Sequence, residues 1–226
     1  MEARILLQTA IDGPVASGKT AVGRVLARRL GARFLDTGTM YRAVAWASVE
    51  RRIDATDWEG LTRLASELDI TLNLEDDEQV LMVDGTDVTE FLRVPHVEAV
   101  VSAVSEVPGV RSALVGQQRS VAEGDPAGIV VVGRDIGTVV LPKAPVKVFL
   151  EASIEIRVRR RHDELRRKGD LRDINQLAEE IELRDKIDSE RSDSPLRPAL
   201  DSVIIETDLL RIDQVVDRVE TLVKKL

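Results

Sequence analysis

At 226 residues with 43% hydrophobic content, the chain is long enough for one large α/β domain with insertions and a full core. It contains no cysteine and only two histidines, His96 and His162, which excludes disulfides and thiol-ligated zinc and argues against a histidine-built metal site. The net charge of −8 argues against tracking along nucleic acid or acidic membranes, and no apolar run approaches membrane-spanning length, so a cytoplasmic protein is expected.

The N-terminal stretch Arg4 to Ile11 reads as a mostly apolar strand. It leads into Gly13-Pro14-Val15-Ala16-Ser17-Gly18-Lys19-Thr20, which fits G-x-x-x-x-G-K-[ST]. In that pattern glycines let backbone N–H groups curl round a polyphosphate, the lysine reaches the β/γ-phosphates, and the hydroxyl of Thr20 binds Mg²⁺. Downstream, Ala21 to Leu30 places Val22, Val25, Leu26 and Leu30 on one helix face, so the helix N-terminus adds its partial positive charge to the loop amides. A glycine turn beside a surface lysine would need neither the adjacent Thr20 nor this strand-to-helix setting.

After a Gly31 C-cap, Arg33-Phe34-Leu35 reads as a short strand ending in Asp36-Thr37-Gly38-Thr39. Ligands in open α/β sheets bind beyond the carboxyl ends of the strands, so Asp36, Thr37, Tyr41 and Arg42 are expected at the same cleft as the loop. Helices follow over Met40 to Arg52 and Asp57 to Leu68; Trp46 reads as core or cleft wall. The period then changes. Ile70 to Leu74 alternates, an acidic turn Glu75-Asp76-Asp77-Glu78 follows, and Gln79 to Val83 runs into Asp84-Gly85, a favoured hairpin dipeptide. This predicts a small antiparallel insert that interrupts the βα alternation.

Val97 to Ala103 and Val110 to Glu123 read as helices separated by Pro108-Gly109, and carry Ser102 and Arg111. Gly128 to Val132 is a buried-strand signal ending in Gly133-Arg134-Asp135-Ile136-Gly137-Thr138, and Val146 to Leu150 is a further core strand. Arg134 and Asp135 at that strand end read either as cleft residues or as an ion pair closing a loop. An arginine-rich helix follows from about Ser153 to Arg167. Its basic island contains Arg157, Arg159, Arg160, Arg161, Arg166, Arg167, Lys168 and Arg172 against only Asp163, Glu164 and Asp170, and suits a small polyanion. Like charges at that density are expected to repel until a polyphosphate neutralises them. A second helix spans about Asn175 to Arg191, where Glu180, Arg184, Asp188 and Arg191, read alone, form a salt-bridged exposed face. Val203 to Ile205 supplies the last strand and Ile212 to Val223 a closing helix.

A phosphate loop, arginines at the strand ends and an arginine-rich helical hairpin together suggest phosphoryl transfer from ATP to a second small molecule, a reaction that needs positioning and charge neutralisation. A GTPase is disfavoured, since neither Asn73 nor Asn175 precedes a lysine, and the D-x-x-G match Asp57 to Gly60 falls on a helix.

Four ordered motifs then carry a resemblance: Gly13 to Thr20, Asp36 to Arg42, Gly133 to Thr138 and Arg184 to Arg191. Together they resemble the bacterial cytidylate kinases, and the likeness covers nearly the whole chain. It implies a P-loop nucleoside-monophosphate kinase fold: a parallel five-stranded core sheet with helices on both faces, an insert with a small antiparallel sheet, and a helical lid. On this reading residues 1–39, 111–152 and 195–226 form the core, 40–110 the monophosphate-binding subdomain, and 153–194 the lid and following helix. The implied reaction takes ATP plus CMP or dCMP to ADP plus CDP or dCDP with Mg²⁺, in a monomer.

By matching position, the resemblance implies that Arg42, Arg134 and Arg184 hold the acceptor phosphate, Asp188 the sugar hydroxyls, and Ser102, Arg111 and Asp135 the cytosine. Thr37 and Tyr41 join the same acceptor site, with Tyr41 near the base. Arg157, Arg161 and Arg191 are implied to close over the transferred group, with Lys19 on the donor side. The chain departs from the family pattern at Ala21, where a second small hydroxyl or glycine residue is usual; the Thr20 hydroxyl is kept, and a secondary α-phosphate contact is in question. Two other readings keep the loop: a kinase for another small acceptor such as UMP, a sugar or an acid, and a non-catalytic ATP-binding switch.

Overall fold

The computed structural model describes residues 7–73, 79–123 and 127–226. Residues Arg4 to Leu6 of the first expected strand and the acidic turn at Glu75 to Glu78 lie outside these.

The frame is a parallel sheet built from β1 (Gln8–Asp12), β2 (Arg33–Asp36), β6 (Ile129–Gly133), β7 (Val146–Glu151) and β8 (Val203–Glu206), in the spatial order β2-β6-β1-β7-β8. Parallel strands must be covered on both faces, which is why Ile129 to Val132 are apolar without alternation and all buried. On one face α1 (Lys19–Leu30) and α8 (Ile212–Val223) pack Val22, Leu26, Val216 and Val219 against Ile11, Val130 and Val148. On the other, α2 (Thr37–Glu50), α3 (Trp58–Glu67), α4 (Pro95–Glu106) and α5 (Pro108–Glu123) bury Met40, Val44, Leu61, Val101 and Leu114 against Leu35, Ile129 and Val131. Trp46 packs half-buried against this second core.

The expected insert is a three-stranded antiparallel sheet of β3 (Ile70–Asn73), β4 (Val80–Val83) and β5 (Thr86–Asp87). Asp84 and Gly85 turn the β4–β5 hairpin with φ of 49° and 78°, the left-handed pair that a two-residue hairpin demands. The hairpin of α6 (Ile154–Arg167) and α7 (Ile174–Glu190) carries its own small core of Val158, Leu165, Leu177 and Ile181, touched by Val15 of the phosphate loop.

Helix boundaries differ from the expected ones where a cap decides. Helix α2 begins at Thr37, three residues early, because the Asp36 side chain accepts from Gly38 N and caps it. Pro108-Gly109 does not separate α4 from α5: only Val107, extended as a residue before proline prefers, lies between, and Pro108 opens α5 where its missing N–H costs nothing. The Asp57 to Gly60 match is also a cap, with the Asp57 carboxylate accepting from Gly60 N at 2.9 Å. After β6 the chain makes a π-helical turn over Ile136–Val140, held by the buried Asp12, whose two carboxylate oxygens accept from Ile136 N and Gly137 N, each at 2.7 Å.

Gly13 is where the sheet hands over to the phosphate loop. Its φ is +150°, and a Cβ there would lie 2.3 Å from the backbone oxygen of Leu150, which cannot retreat without breaking β7 from β1. Gly13→Ala is therefore expected to destabilise by about 3 kcal/mol or more, about 6 °C or more in Tm. Thermal unfolding checks this, and an unchanged Tm would contradict it.

Candidate active site

The carboxyl ends of β1, β2, β6 and β7 lie on one rim, where Gly13, Arg134 and Ala152 begin loops and Asp36 ends β2 as the cap of α2. Within the phosphate loop Ala16 has φ 58° and Gly18 φ 98°, and no side chain among the described residues caps the α1 N-terminus, which leaves its first-turn amides for an anion as a phosphate cradle requires. Lys19 folds back over the loop and donates to the Pro14 carbonyl oxygen at 2.6 Å, with Ser17 Oγ at 3.4 Å. Burial pushes its ammonium well below the usual lysine range; Arg134 adds to this, and Asp36, Asp12 and Asp188 oppose it. Thr20 Oγ1 donates to Asp36 Oδ2 at 3.0 Å. Gln79 from the insert ties into this corner, accepting from Asp36 N and donating to Thr39 Oγ1.

A chain of alternating charges runs from the loop across the rim. Arg134 donates through NH1 to the Gly13 carbonyl oxygen and through Nε to Asp188 Oδ2 at 2.7 Å. Burial works against the Asp188 carboxylate, yet Arg134 and Arg184 beside it hold it below the usual range. Arg191 NH1 lies 3.7 Å from Asp188 Oδ1, and Arg191 NH2 lies 3.9 Å from Asp135 Oδ1. The other Asp135 oxygen accepts from Arg111 NH2, whose guanidinium also donates to the Ser105 carbonyl oxygen and lies 5.4 Å over the Tyr41 ring. Arg111 is 2% exposed, so this ion pair is dry. Burial raises the Tyr41 hydroxyl to about 12.

Across the cleft, Arg42 donates through Nε to Glu98 Oε1 at 2.7 Å and through NH1 to the Gly38 carbonyl oxygen. Glu98 Oε2 faces Arg184 NH1 at 3.7 Å and Arg161 NH2 at 3.9 Å. Burial would raise the Glu98 carboxyl, but Arg42, with Arg184 and Arg161, holds it down at about 2. Arg184 itself is lowered to about 10 by burial and by its cationic neighbours Arg134 and Arg42. Arg157 stands apart from these, on the loop side: it pairs with Asp185 at 2.5 Å and donates to the carbonyl oxygens of Ala152 and Val15. It lines a cleft of about 630 Å³ with Pro14, Ser153, Asp185 and Asp208.

The residues singled out in the sequence thus gather at one rim, with two qualifications. The Thr37 hydroxyl donates to the Val132 carbonyl oxygen, tying the ends of β2 and β6. Ser102 is half-buried on α4, and its hydroxyl has no hydrogen bond among the described residues. Two expectations from charge alone fail. Asp188 and Arg191 are buried rather than part of an exposed face, although Glu180 is exposed and pairs with Arg172. The basic island is not an unneutralised cluster, because Arg157, Arg161, Lys168 and Arg172 are paired with Asp185, Glu164, Glu98, Asp170 and Glu180. Sequence reasoning missed Glu98, Asp185 and Asp12. Glu98 had a signal, lying one helical turn before Ser102 on the same face of α4.

The cytidylate kinase family model matches residues 9–225. A cytidylate kinase of Geobacillus thermodenitrificans is 44% identical over 225 residues, covering 100% of this chain and 99% of that protein. A cytidylate kinase of Mycolicibacterium paratuberculosis is 47% identical over 216 residues, covering 96% and 94%. The chain belongs to the cytidylate kinase family. It is an enzyme, a nucleoside-monophosphate kinase with a P-loop fold. The same fold occurs in an uncharacterized protein from Eubacterium ventriosum, with a TM-score of 0.55 at 15% identity over 98% of this chain and 99% of that one. Among the described residues no single helix is long and apolar enough to cross a membrane; α4 and α5 together pass on length and composition but meet at a 94° bend.

Proposed function

We propose that this enzyme, a cytoplasmic monomer, transfers the γ-phosphoryl group of ATP to a phosphate oxygen of CMP or dCMP, releasing ADP and CDP or dCDP. The observation that supports this best is the continuous array from the phosphate loop through Arg134 and Asp188 to Arg191, Asp135 and Arg111, because it puts guanidinium groups and a base-reading pair beside one anion cradle. In this reading Gly13 to Thr20 hold the ATP phosphates and Lys19 neutralises charge on the group in flight. Arg42, Arg134 and Arg184 grip the acceptor phosphate and Asp188 takes the sugar hydroxyls. Ser102, Arg111 and Asp135 read the cytosine, with Thr37 and Tyr41 shaping its pocket. Arg157, Arg161 and Arg191 approach the transferred group from the hairpin, which acts as the lid over residues 153–194. Residues 40–110 supply the acceptor side, and 1–39, 111–152 and 195–226 the core.

The residues fit Mg²⁺. No group of three or more His, Cys, Asp or Glu among the described residues could cage a metal by itself. Thr20 Oγ1 and Asp36 Oδ2, 3.0 Å apart beside the loop, instead suit an ion that keeps its waters and takes further ligands from substrate phosphates. Bound there, Mg²⁺ would supply charge neutralisation on the β- and γ-phosphate oxygens. Chromatographic analysis of the enzyme incubated with ATP and CMP tests the reading. Equal amounts of ADP and CDP are expected; no CDP formed would contradict the reading and favour a kinase for another acceptor.

A further inference from the structure

Glu98 has no part in the reaction described above, yet it sits at the acceptor-phosphate end of the cleft. It faces guanidinium groups from three helices: Arg42 on α2, Arg161 on α6 and Arg184 on α7. Arg93, which is 3.8 Å from Asp36, and Glu164, which is 2.9 Å from Arg161, complete the charged surroundings. The contacts are unequal. The 2.7 Å bond from Arg42 Nε is a charge-assisted hydrogen bond, whereas 3.7 Å and 3.9 Å to Arg184 and Arg161 exceed hydrogen-bond length and are charge pairing alone. Both hairpin arginines are thus held toward α4 by a group they can leave at small cost, while Arg42 stays oriented.

We propose that Glu98 is a built-in counter-ion for the acceptor site: it neutralises Arg42, Arg161 and Arg184 before the substrates arrive, and gives up Arg184 to the incoming acceptor phosphate and Arg161 to the transferred group. It is a positioning residue, and it holds acceptor affinity down. It keeps three cations from repelling one another, and it charges the incoming dianion an electrostatic penalty, since a carboxylate and a phosphate then share one cluster. The inference rests on the assignment of this corner to the acceptor phosphate.

Calorimetric binding of CMP and of cytidine to wild type and to Glu98→Gln tests it. The glutamine amide oxygen can still accept from Arg42 Nε, so the substitution removes charge and keeps the hydrogen bond. Loss of one negative charge a few ångströms from a bound dianion is expected to tighten CMP by about fivefold or more at low salt. Cytidine, which lacks the phosphate, should bind the variant as it binds wild type, and inorganic phosphate should compete with CMP more strongly in the variant. Glu98→Asp, which draws the charge back by one methylene, should tighten CMP by a smaller factor and keeps the test open if the glutamine variant does not fold. CMP binding that is unchanged or weaker in whichever variant folds overturns the inference. Failure of the underlying assignment looks different: wild type would then bind cytidine as tightly as CMP.

Discussion

Lys19→Ala is expected to lower kcat by about two to three orders of magnitude, the usual effect of removing a charged stabilising group from a water-poor site. The side chain is 7% exposed, and its ammonium rests on the Pro14 carbonyl oxygen at 2.6 Å, a short swing from the anion cradle of its own loop. In that setting a positive charge acts on a transferring phosphoryl group at lower effective dielectric than in water, so its loss is felt in the transition state. The stability effect should run the other way. Burial disfavours the charged lysine, as its lowered proton affinity records, so alanine should leave Tm level or raise it. Steady-state kinetics beside a thermal melt separates the two. Near-normal turnover, or a loss of turnover that tracks a collapse in Tm, would contradict the assignment of Lys19.

The second large effect concerns Asp135. Cytosine offers an amino donor at N4 and acceptors at N3 and O2, which calls for a carboxylate beside a cationic donor, and Asp135 with Arg111 supplies both. Uracil would set a carbonyl oxygen against the carboxylate, two acceptors facing each other with no hydrogen between them. The pair is also dry, because the two side chains are 5% and 2% exposed. Asp135→Ala strands the Arg111 charge inside the protein and is expected to cost about 3–5 kcal/mol of stability, which is about 10 °C in Tm for a chain of this size. Below its melting temperature the variant should lose efficiency with CMP more than with UMP, so that the ratio of their kcat/KM narrows. Asp135→Asn, which keeps the shape and can still accept a hydrogen bond from Arg111, should retain more stability while narrowing the same ratio. Efficiencies that fall in parallel would mean that Asp135 only braces Arg111 and Arg191.

The parts of this molecule legible in its sequence are those where one short-range rule acts alone. Gly13 and Gly18 sit at backbone angles or close approaches that glycine tolerates best, so the phosphate loop could be read from its spacing. The Ile129 to Val132 run could be read because a doubly covered parallel strand has no polar face. The Asp84-Gly85 hairpin could be read because that dipeptide tolerates the positive φ both residues adopt. Where two rules competed, the reading failed by a few residues: Pro108 can end one helix or open the next, and packing of α5 on α3 selected the second.

Charge was the least legible feature. Local pairs such as Arg161 with Glu164 could be counted along the chain, but the partners that reach across the cleft are on other elements, Glu98 being on α4 and Asp135 after β6. Local charge counting cannot reach such pairs, and only the topology that folds α4 and the π-helical turn against the hairpin brings them together. Asp12 was hidden for a related reason. It ends a buried strand, and its role in holding Ile136 and Gly137 depends on β6 pairing beside β1.

The central claim is that this rim selects CMP as phosphoryl acceptor, and the most direct measurement is kcat/KM with ATP for a panel of CMP, dCMP, UMP, AMP and GMP in a coupled assay. CMP or dCMP should be the best acceptor and UMP at least about tenfold poorer, because the mismatch at Asp135 is softened by water but not removed. UMP, AMP or GMP turned over as efficiently as CMP would contradict the account.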